Sequence, residues 1–254
     1  MMKSDIKVMT FNLRYDTEED GINAWSKRMK YAIRMIHKHT PDILAVQELT
    51  DHMYFDIFPY LIDYEMCGEG RDRNHQGEKS AVFVKKDLFH VIATETVWLS
   101  GHLHKAGDMD LMEIFPRICT RVEIESKTTH QRYRIMNVHL AVYSEANRQK
   151  NVRSILKYYR QCEKENQYPT VLLGDFNAEY THSIHKKLAK VFTEGAIALA
   201  KPYEITFNGF GLGKTEVIDF IYTDRMKFIF YEVDADLIDQ HYPSDHNPVI
   251  AILQ

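Results

Sequence analysis

Thr170–Glu179 reads TVLLGDFNAE, three apolar residues and a glycine followed by a carboxylate, Asp175, and, one residue further, a carboxamide, Asn177. A short apolar run of this kind suits a buried strand. A charged side chain where such a strand stops must meet a cation, a donor or solvent. Three other runs have the same form: KVMTFNL (Lys7 to Leu13), PDILAVQE (Pro41 to Glu48) and YRIMNVHL (Tyr133 to Leu140). Each ends in a polar side chain able to do chemistry. Between the first two in chain order, Trp25 to His39 places Trp25, Met29, Ala32, Ile33 and Ile36 at three- and four-residue steps. Between the second two, Glu145 to Glu165 does the same with Val152, Ile155, Leu156 and Tyr159. Both spacings predict amphipathic helices.

The unit strand, loop, helix, strand therefore occurs twice. Asn12 lies 36 residues before Glu48, and His139 lies 36 residues before Asp175. VMTFNL and IMNVHL superpose at a single offset of 127. This points to a duplicated half, two similar layers about an approximate two-fold axis, although short apolar strands also resemble one another by chance. Duplication would bring Asn12, Glu48, His139 and Asp175 to one rim. Further strands are expected at Gly77 to Lys86, Pro116 to Glu125, Thr215 to Thr223, Lys227 to Asp234 and Asn247 to Leu253. Strands outnumber helices, which puts sheets in the middle of the molecule.

A chain of 254 residues suits one large single-core domain, residues 1–254. Its formal charge of -4 lacks the basic footprint of a protein held on DNA mainly by phosphate neutralisation. Cys67, Cys119 and Cys162 are odd in number and form no CxxC pair, so neither a disulfide framework nor a zinc site is encoded and a reducing compartment fits. The opening MMKSDIKVMTFNLRYD lacks the apolar core of a signal peptide, and no run approaches the ~18 apolar residues of a membrane span. A cytoplasmic monomer without a membrane span is expected.

Asp175 and Asn177 offer the oxygen ligands that a hard cation such as Mg2+ or Mn2+ takes, whereas zinc would call for His and Cys in tighter clusters. In HYPSDHNPVIAIL, Ser244, Asp245, His246 and Asn247 form a polar knot before an apolar strand; catalysis or a turn between Pro243 and Pro248 would each account for it. Asp219, inside VIDFIY, needs a partner, and a histidine is a natural one. Arg71, Arg73 and Arg117 are candidate phosphate contacts because guanidinium groups bind phosphate oxygens in pairs, with a solvated loop as the alternative for the first two. His102 and His104 are expected at the surface.

In order, TFNLRYD, PDILAVQE, GE (Gly77, Glu78), NVHL, GDFN, ID (Ile218, Asp219) and SDHNPV resemble the motifs of the endonuclease/exonuclease/phosphatase superfamily, from Met9 to Val249. That superfamily includes DNase I-like nucleases, deadenylases, neutral sphingomyelinases and inositol polyphosphate 5-phosphatases. The resemblance implies an α/β (α+β) fold: a four-layer α/β/β/α sandwich of two mainly antiparallel sheets with internal pseudo-two-fold similarity. It implies a divalent metal held by Asn12 and Glu48, Glu48 being the principal ligand, with Asp245 completing the site. Asp175 and Asn177 would orient the attacking water and the phosphoryl oxygens, Asp175 as general base. His139 and His246 would face the scissile phosphate, braced by Glu78 and Asp219 respectively.

Within the superfamily, NVHLAVY argues against the apurinic-site endonucleases and VIDFIY against the 5-phosphatases. The chain is most similar to a bacterial group with GR (Gly70, Arg71), WLS (Trp98 to Ser100) and PR (Pro116, Arg117) pairings. It departs from that group in GHLHKAGDMDLMEIF, a loop expected to border the substrate pocket. The activity implied is hydrolysis of a phosphate ester by in-line attack of water, of phosphodiesterase or nuclease type. A small-molecule or lipid phosphatase or sphingomyelinase-like hydrolase is the alternative, and a binding module without catalysis the remote one.

Overall fold

The computed structural model describes residues 5–111 and 113–254. Met112, within the expected Leu99 to Glu113 loop, and the first four residues of the N-terminal stretch lie outside the described residues. Twelve strands among the described residues form two six-stranded sheets. The first sheet holds β1 (Ile6–Asn12), β2 (Ile43–Leu49), β3 (Tyr64–Cys67), β4 (Lys79–Lys85), β11 (Phe228–Val233) and β12 (Val249–Leu253), in the order β11-β12-β1-β2-β4-β3. The second holds β5 (Phe89–Trp98), β6 (Ile118–Ser126), β7 (Arg132–His139), β8 (Thr170–Asp175), β9 (Thr193–Glu194) and β10 (Asp219–Asp224), in the order β5-β6-β7-β8-β10-β9.

Each sheet contains one parallel pair at the same place in its order, β1 with β2 and β7 with β8, and every other pairing is antiparallel. The halves match strand for strand, but not in chain order. The second sheet is one continuous stretch, whereas the first joins the N-terminal strands to the C-terminal hairpin β11–β12. The C-terminal SDH segment is thereby carried next to the end of β1.

The helices α1 (Trp25–His39) and α3 (Glu145–Glu165) are the crossovers of the two parallel pairs. Both run to the bounds their spacing predicts. Ser144 caps α3, its hydroxyl accepting the Asn147 N–H at 3.3 Å. The short helices α2 (Asp51–Ile57), α4 (Ser183–Leu188) and α5 (Gly195–Ala198) complete the set.

Strand alternation sorts the apolar residues into three cores. Val8, Ala45, Val82, Ile135, Leu173 and Ile221 pack between the sheets. Met9, Leu44 and Val46 face outward onto Trp25, Ile33 and Ile36 of α1. Met136 and Leu172 face outward onto Val152, Ile155 and Tyr159 of α3. The layers run helix, sheet, sheet, helix. Strands covered on both faces read as unbroken apolar runs for this reason. Each large side chain so buried contributes roughly 1.5–3 kcal/mol. Among the described residues no helix is long and apolar enough to cross a membrane.

The equal 36-residue spacings do not give equal registers. Asn12 pairs with Gln47 across β1 and β2, whereas His139 pairs with Asp175 across β7 and β8. The difference runs the whole length of the first ladder, from Val8 with Ile43 to Asn12 with Gln47; just beyond its last pair Glu48 has φ 61, the left-handed region, where the ladder between β2 and β4 is interrupted. Such a conformation is costly for a residue with a Cβ and is held only where its surroundings over-determine it.

Candidate active site at the shared rim of the two sheets

The polar ends of β1, β2, β7 and β8 converge. Asn12 is fully buried, and its Nδ2 donates to Glu48 Oε1 at 3.0 Å and to Asp175 Oδ2 at 3.0 Å. It thus ties a carboxylate of one sheet to a carboxylate of the other. Asn12 Oδ1 accepts the Arg14 N–H at 2.9 Å, and Glu48 Oε2 accepts the Tyr15 N–H at 2.8 Å. The left-handed turn at Glu48 is what swings its carboxylate into this position.

Asp175 ends β8. The chain does not continue as a strand to Asn177, which has φ 46 and gives its backbone N–H to Asp175 Oδ1 at 2.8 Å. Its side-chain Nδ2 donates to Leu140 O at 3.0 Å, so Asn177 holds the segment after His139 as well as the Asp175 carboxylate. Around Asp175 Oδ2 stand two further rings: His139 Nε2 at 3.5 Å and His246 Nε2 at 3.9 Å. His246 Nδ1 lies 2.8 Å from Asp219 Oδ2, the pairing expected for that histidine. Asp219 Oδ1 is buried without a hydrogen-bond partner in the protein.

Glu78 departs from expectation. Both of its oxygens receive the Arg71 guanidinium, at 2.7 and 2.8 Å, instead of bracing His139. The cause is local: Arg71 N donates to Glu78 O, closing the loop so that the two side chains meet as a bidentate pair. Glu78, Arg71 and His139 still line one cleft, with Glu48, Lys79, Ser80 and Arg117. Arg117 is buried with its Nε unpartnered in the protein. Arg73 is exposed, and so are His102 and His104, which pair with Asp108 and Glu95.

Burial and charge push the titratable groups apart. Burial, then Asp219, drives the Asp175 carboxyl up to about 7. Burial and the cations Arg117 and Arg71 hold His139 well below the usual histidine range, so its ring is neutral. Burial opposes charge on His246 too, but Asp219, Asp245 and Asp175 outweigh it and carry the ring to about 10. One histidine is therefore an imidazole and the other an imidazolium. Burial and then Glu48 push Glu78 up to about 7, against Arg71 and Arg117. Burial and Glu48 also raise Asp245, against His246 and Arg14.

Sequence reasoning missed several members. Arg14 reaches Asp245 at 3.8 Å and pairs with Asp20. Ser244 was named in the polar knot but not placed against β1, where its Oγ donates to Asn12 O at 2.7 Å. Arg28, buried in α1, donates to the carbonyls of Leu13, Arg14 and Pro243, fixing both loops of the rim. Beneath them Gln47 bonds Asn137 at 2.7 Å, and Asn137 bonds the Val46 and Ala81 carbonyls, each at 2.8 Å, stapling sheet to sheet. Polar residues at inward positions of apolar strands were the signal for that staple.

The donor set fits a hard divalent cation. Glu48 and Asp245 are carboxylates that feel each other's charge, since burial and then Glu48 raise Asp245, and Asn12 Oδ1, with one hydrogen bond made, keeps a lone pair. The three cysteines are all buried elsewhere. Asp175, Asp219 and His246 form a second, fully buried cluster of potential ligand atoms within 4.8 Å of one another. There His246 Nδ1 and Asp219 are already engaged with each other.

Comparison with known proteins agrees with this geometry. The model of the endonuclease/exonuclease/phosphatase family matches residues 9–246. The crystal structure of an endonuclease/exonuclease/phosphatase from Bacteroides vulgatus superposes with a TM-score of 0.92 at 27% identity, covering 99% of both chains. A mannosyl-6-phosphatase from Bacteroides thetaiotaomicron superposes with a TM-score of 0.90 at 25% identity, over 98% of this chain and 99% of that one. Nocturnin of Mus musculus is 22% identical over 210 residues, 73% of this chain and 46% of its own length. The chain thus spans less than half the length of that curated relative.

Proposed function

Because the chain belongs to the endonuclease/exonuclease/phosphatase family, whose members are divalent-metal-dependent phosphoester hydrolases, we propose that it hydrolyses a phosphate ester with Mg2+ or Mn2+ by in-line attack of water. The observation that carries this reading is the buried meeting of Asp175 with Asn12, His139 and His246. Glu48 and Asp245, with Asn12 Oδ1, would hold the metal. Bound there, a divalent cation supplies neutralisation of phosphoryl charge.

The residues divide the remaining work. Asp175, pushed up to about 7 by burial and Asp219, is poised to take a proton from water near neutral pH. Asn12 and Asn177 hold its two oxygens, so the carboxylate is aimed before substrate arrives. His246, kept cationic by Asp219, donates to a phosphoryl or leaving-group oxygen. His139 stays neutral and offers a second N–H to the same phosphate. Arg117, buried with an unpartnered Nε, meets a further phosphate oxygen; Arg71 flanks it while paired to Glu78.

Two observations favour a small phosphate ester over a long nucleic acid. The cleft cations Arg71 and Lys79 are each paired with a carboxylate, Glu78 and Asp51, so that among the described cleft residues only Arg117 lacks an ion pair, too little positive charge to track a polymer backbone. The solved structures similar to this chain include a mannosyl-6-phosphatase, an enzyme of a sugar phosphate. The three buried free cysteines support a reducing, cytoplasmic compartment.

Hydrolysis of bis-p-nitrophenyl phosphate and p-nitrophenyl phosphate, with Mg2+ or Mn2+ and with EDTA, tests the reading. Metal-dependent turnover abolished in Asp175→Asn and His246→Ala is the expected result. Equal turnover in those variants, or with EDTA, overturns it.

A further inference from the structure

Beside the arginine-lined cleft the protein exposes an apolar surface that the reaction scheme above does not use. Leu111 is 87% exposed, Ile114 60%, Phe115 42%, Val142 41% and Tyr143 65%. They come from two segments, one before Arg117 and one directly after His139, and adjacent residues at the start of α3 hold both. Buried Asn147 donates to Leu111 O and to Glu113 Oε1, each at 3.0 Å. Arg148 donates to Ala141 O at 3.1 Å and Val142 O at 2.6 Å. The surface is thus built on hydrogen bonds to a helix. Exposed apolar side chains that neighbouring residues of one helix hold on the same side make a candidate contact site.

The first of these segments runs into the cleft where phosphate would be read. Phe115 lies over the Arg71 guanidinium, 4.2 Å from ring centroid to Cζ, and Pro116 and Arg117 follow it into the cleft. At one end stands a buried guanidinium with an unpartnered N–H, which calls for an anion; a few residues away stand side chains that call for hydrocarbon. A molecule satisfying both carries its phosphate and its apolar group side by side.

Resting on the hydrolase reading, we propose that this lip binds the organic group esterified to the phosphate, and that the substrate is a single soluble amphiphilic phosphoester bearing an aliphatic or aromatic group. The charges around the lip select that occupant over an anionic bilayer. Lys105 is paired with Asp108 at 2.7 Å, Lys150 with Asp110 at 3.1 Å, and Arg148 is spent on backbone carbonyls. Glu145, exposed, stands 3.4 Å from His182 Nε2. Docking on anionic lipid needs a surplus of Lys and Arg beside the apolar face; here the nearest cations are engaged as described, and Arg153 and Lys157 stand further along α3, behind Asp110 and Lys150.

The test compares methyl and octyl members of the alkyl phosphates and of the p-nitrophenyl alkyl diesters, below the micelle concentration, in wild type and in the Leu111→Ser/Tyr143→Ser double variant. Binding of methylphosphonate and octylphosphonate with Mg2+ is measured calorimetrically in parallel. Wild type is expected to favour octyl over methyl by at least about thirty-fold in kcat/KM, since each buried CH2 is worth several-fold. The double variant is expected to lose that gap while keeping its methyl rate. Equal octyl and methyl rates in an active enzyme overturn the inference and leave the hydrolase reading intact. Turnover of neither ester, with octylphosphonate still preferred by wild type and not by the variant, overturns the hydrolase reading and sustains the lip. Binding of neither phosphonate overturns the lip. Co-sedimentation with phosphatidylcholine vesicles that the double variant loses assigns the surface to a bilayer and overturns the single-molecule form.

Discussion

His246 Nδ1 and Asp219 Oδ2 stand 2.8 Å apart in a pair with almost no solvent contact, and this contact decides which histidine of the site is charged. Burial alone would discharge both rings. Asp219 supplies the largest opposing effect on His246, and Asp245 and Asp175 add to it. Asp219→Asn keeps a hydrogen-bond partner and removes the charge. His246 then loses its proton at lower pH, and the alkaline limb of the kcat/KM profile moves to lower pH. At pH 8 the variant is expected to fall by about 10²-fold, the usual cost of removing a partner that tunes a reacting group. An unchanged alkaline limb would show that His246 does not act as a cation.

Glu48, as a proposed metal ligand, should cost the metal-free protein stability. Burial is the larger cause of the rise at Asp245 and Glu78, and the charge of Glu48 adds to both, so the carboxylates of the metal-free site repel one another. Glu48→Gln removes one of those charges. Without added metal its Tm is expected to equal or exceed that of wild type by about 2–4 °C, the shift that ~1 kcal/mol gives in a protein of this length. The increase in Tm that Mg2+ gives the wild type should be lost, and activity with it. A scan of Tm against Mg2+ concentration reads both effects; a lower metal-free Tm in the variant contradicts the repulsion argument.

Gly174 sits where the backbone of β8 presses on β7. Its φ is 138, and an added Cβ would collide with the Val138 carbonyl oxygen. Both neighbours are part of a parallel ladder whose next rung is His139 with Asp175, so the backbone cannot yield without moving the reacting groups. Gly174→Ala is expected to cost more than about 3 kcal/mol. Denaturant unfolding measures it. A variant of wild-type stability would mean that the two strands separate more easily than their packing allows.

What could be read from residues and what could not follows a physical divide. The four strand ends were legible because strands covered on both faces are apolar until they reach the rim, where Asn12, Glu48, His139 and Asp175 stand out. α1 and α3 were legible because one stripe of each is buried. β5 was missed: it is an edge strand whose residues alternate between half-buried and exposed positions over much of its length, so FHVIATETVW shows no apolar run. The left-handed turn at Glu48 has no sequence signal, since nothing in a glutamate announces positive φ. Arg28 was missed because it bonds backbone carbonyls, which every residue has. Glu78 was given the wrong partner because a loop that folds back on itself brings Arg71, seven residues earlier, closer than His139.

The same buried-histidine physics operates far from the chemistry, and there it should appear as acid sensitivity. His185, in α4, is paired on both ring nitrogens: Nδ1 lies 2.6 Å from the Tyr222 hydroxyl and Nε2 lies 3.0 Å from Ala178 O. A neutral ring with its proton on Nε2 satisfies both, accepting from the hydroxyl and donating to the carbonyl. A second proton would force the Tyr222 O–H to turn away inside the core. Burial, the dominant cause, lowers the ring to about 4 from an ordinary value of 6.5. Since the folded pKa lies below the unfolded one, the unfolded chain binds more protons between them. Stability from this group is therefore complete above pH 6.5 and is lost as pH falls towards 4, on the order of 3 kcal/mol in all. His185→Gln, which cannot titrate and can still bond on both sides, should flatten the slope of unfolding free energy against pH across that window and leave the slope above pH 7 unchanged. Urea unfolding at half-unit steps from pH 4 to 8 measures it, and an identical slope in the variant would move the acid sensitivity to another group.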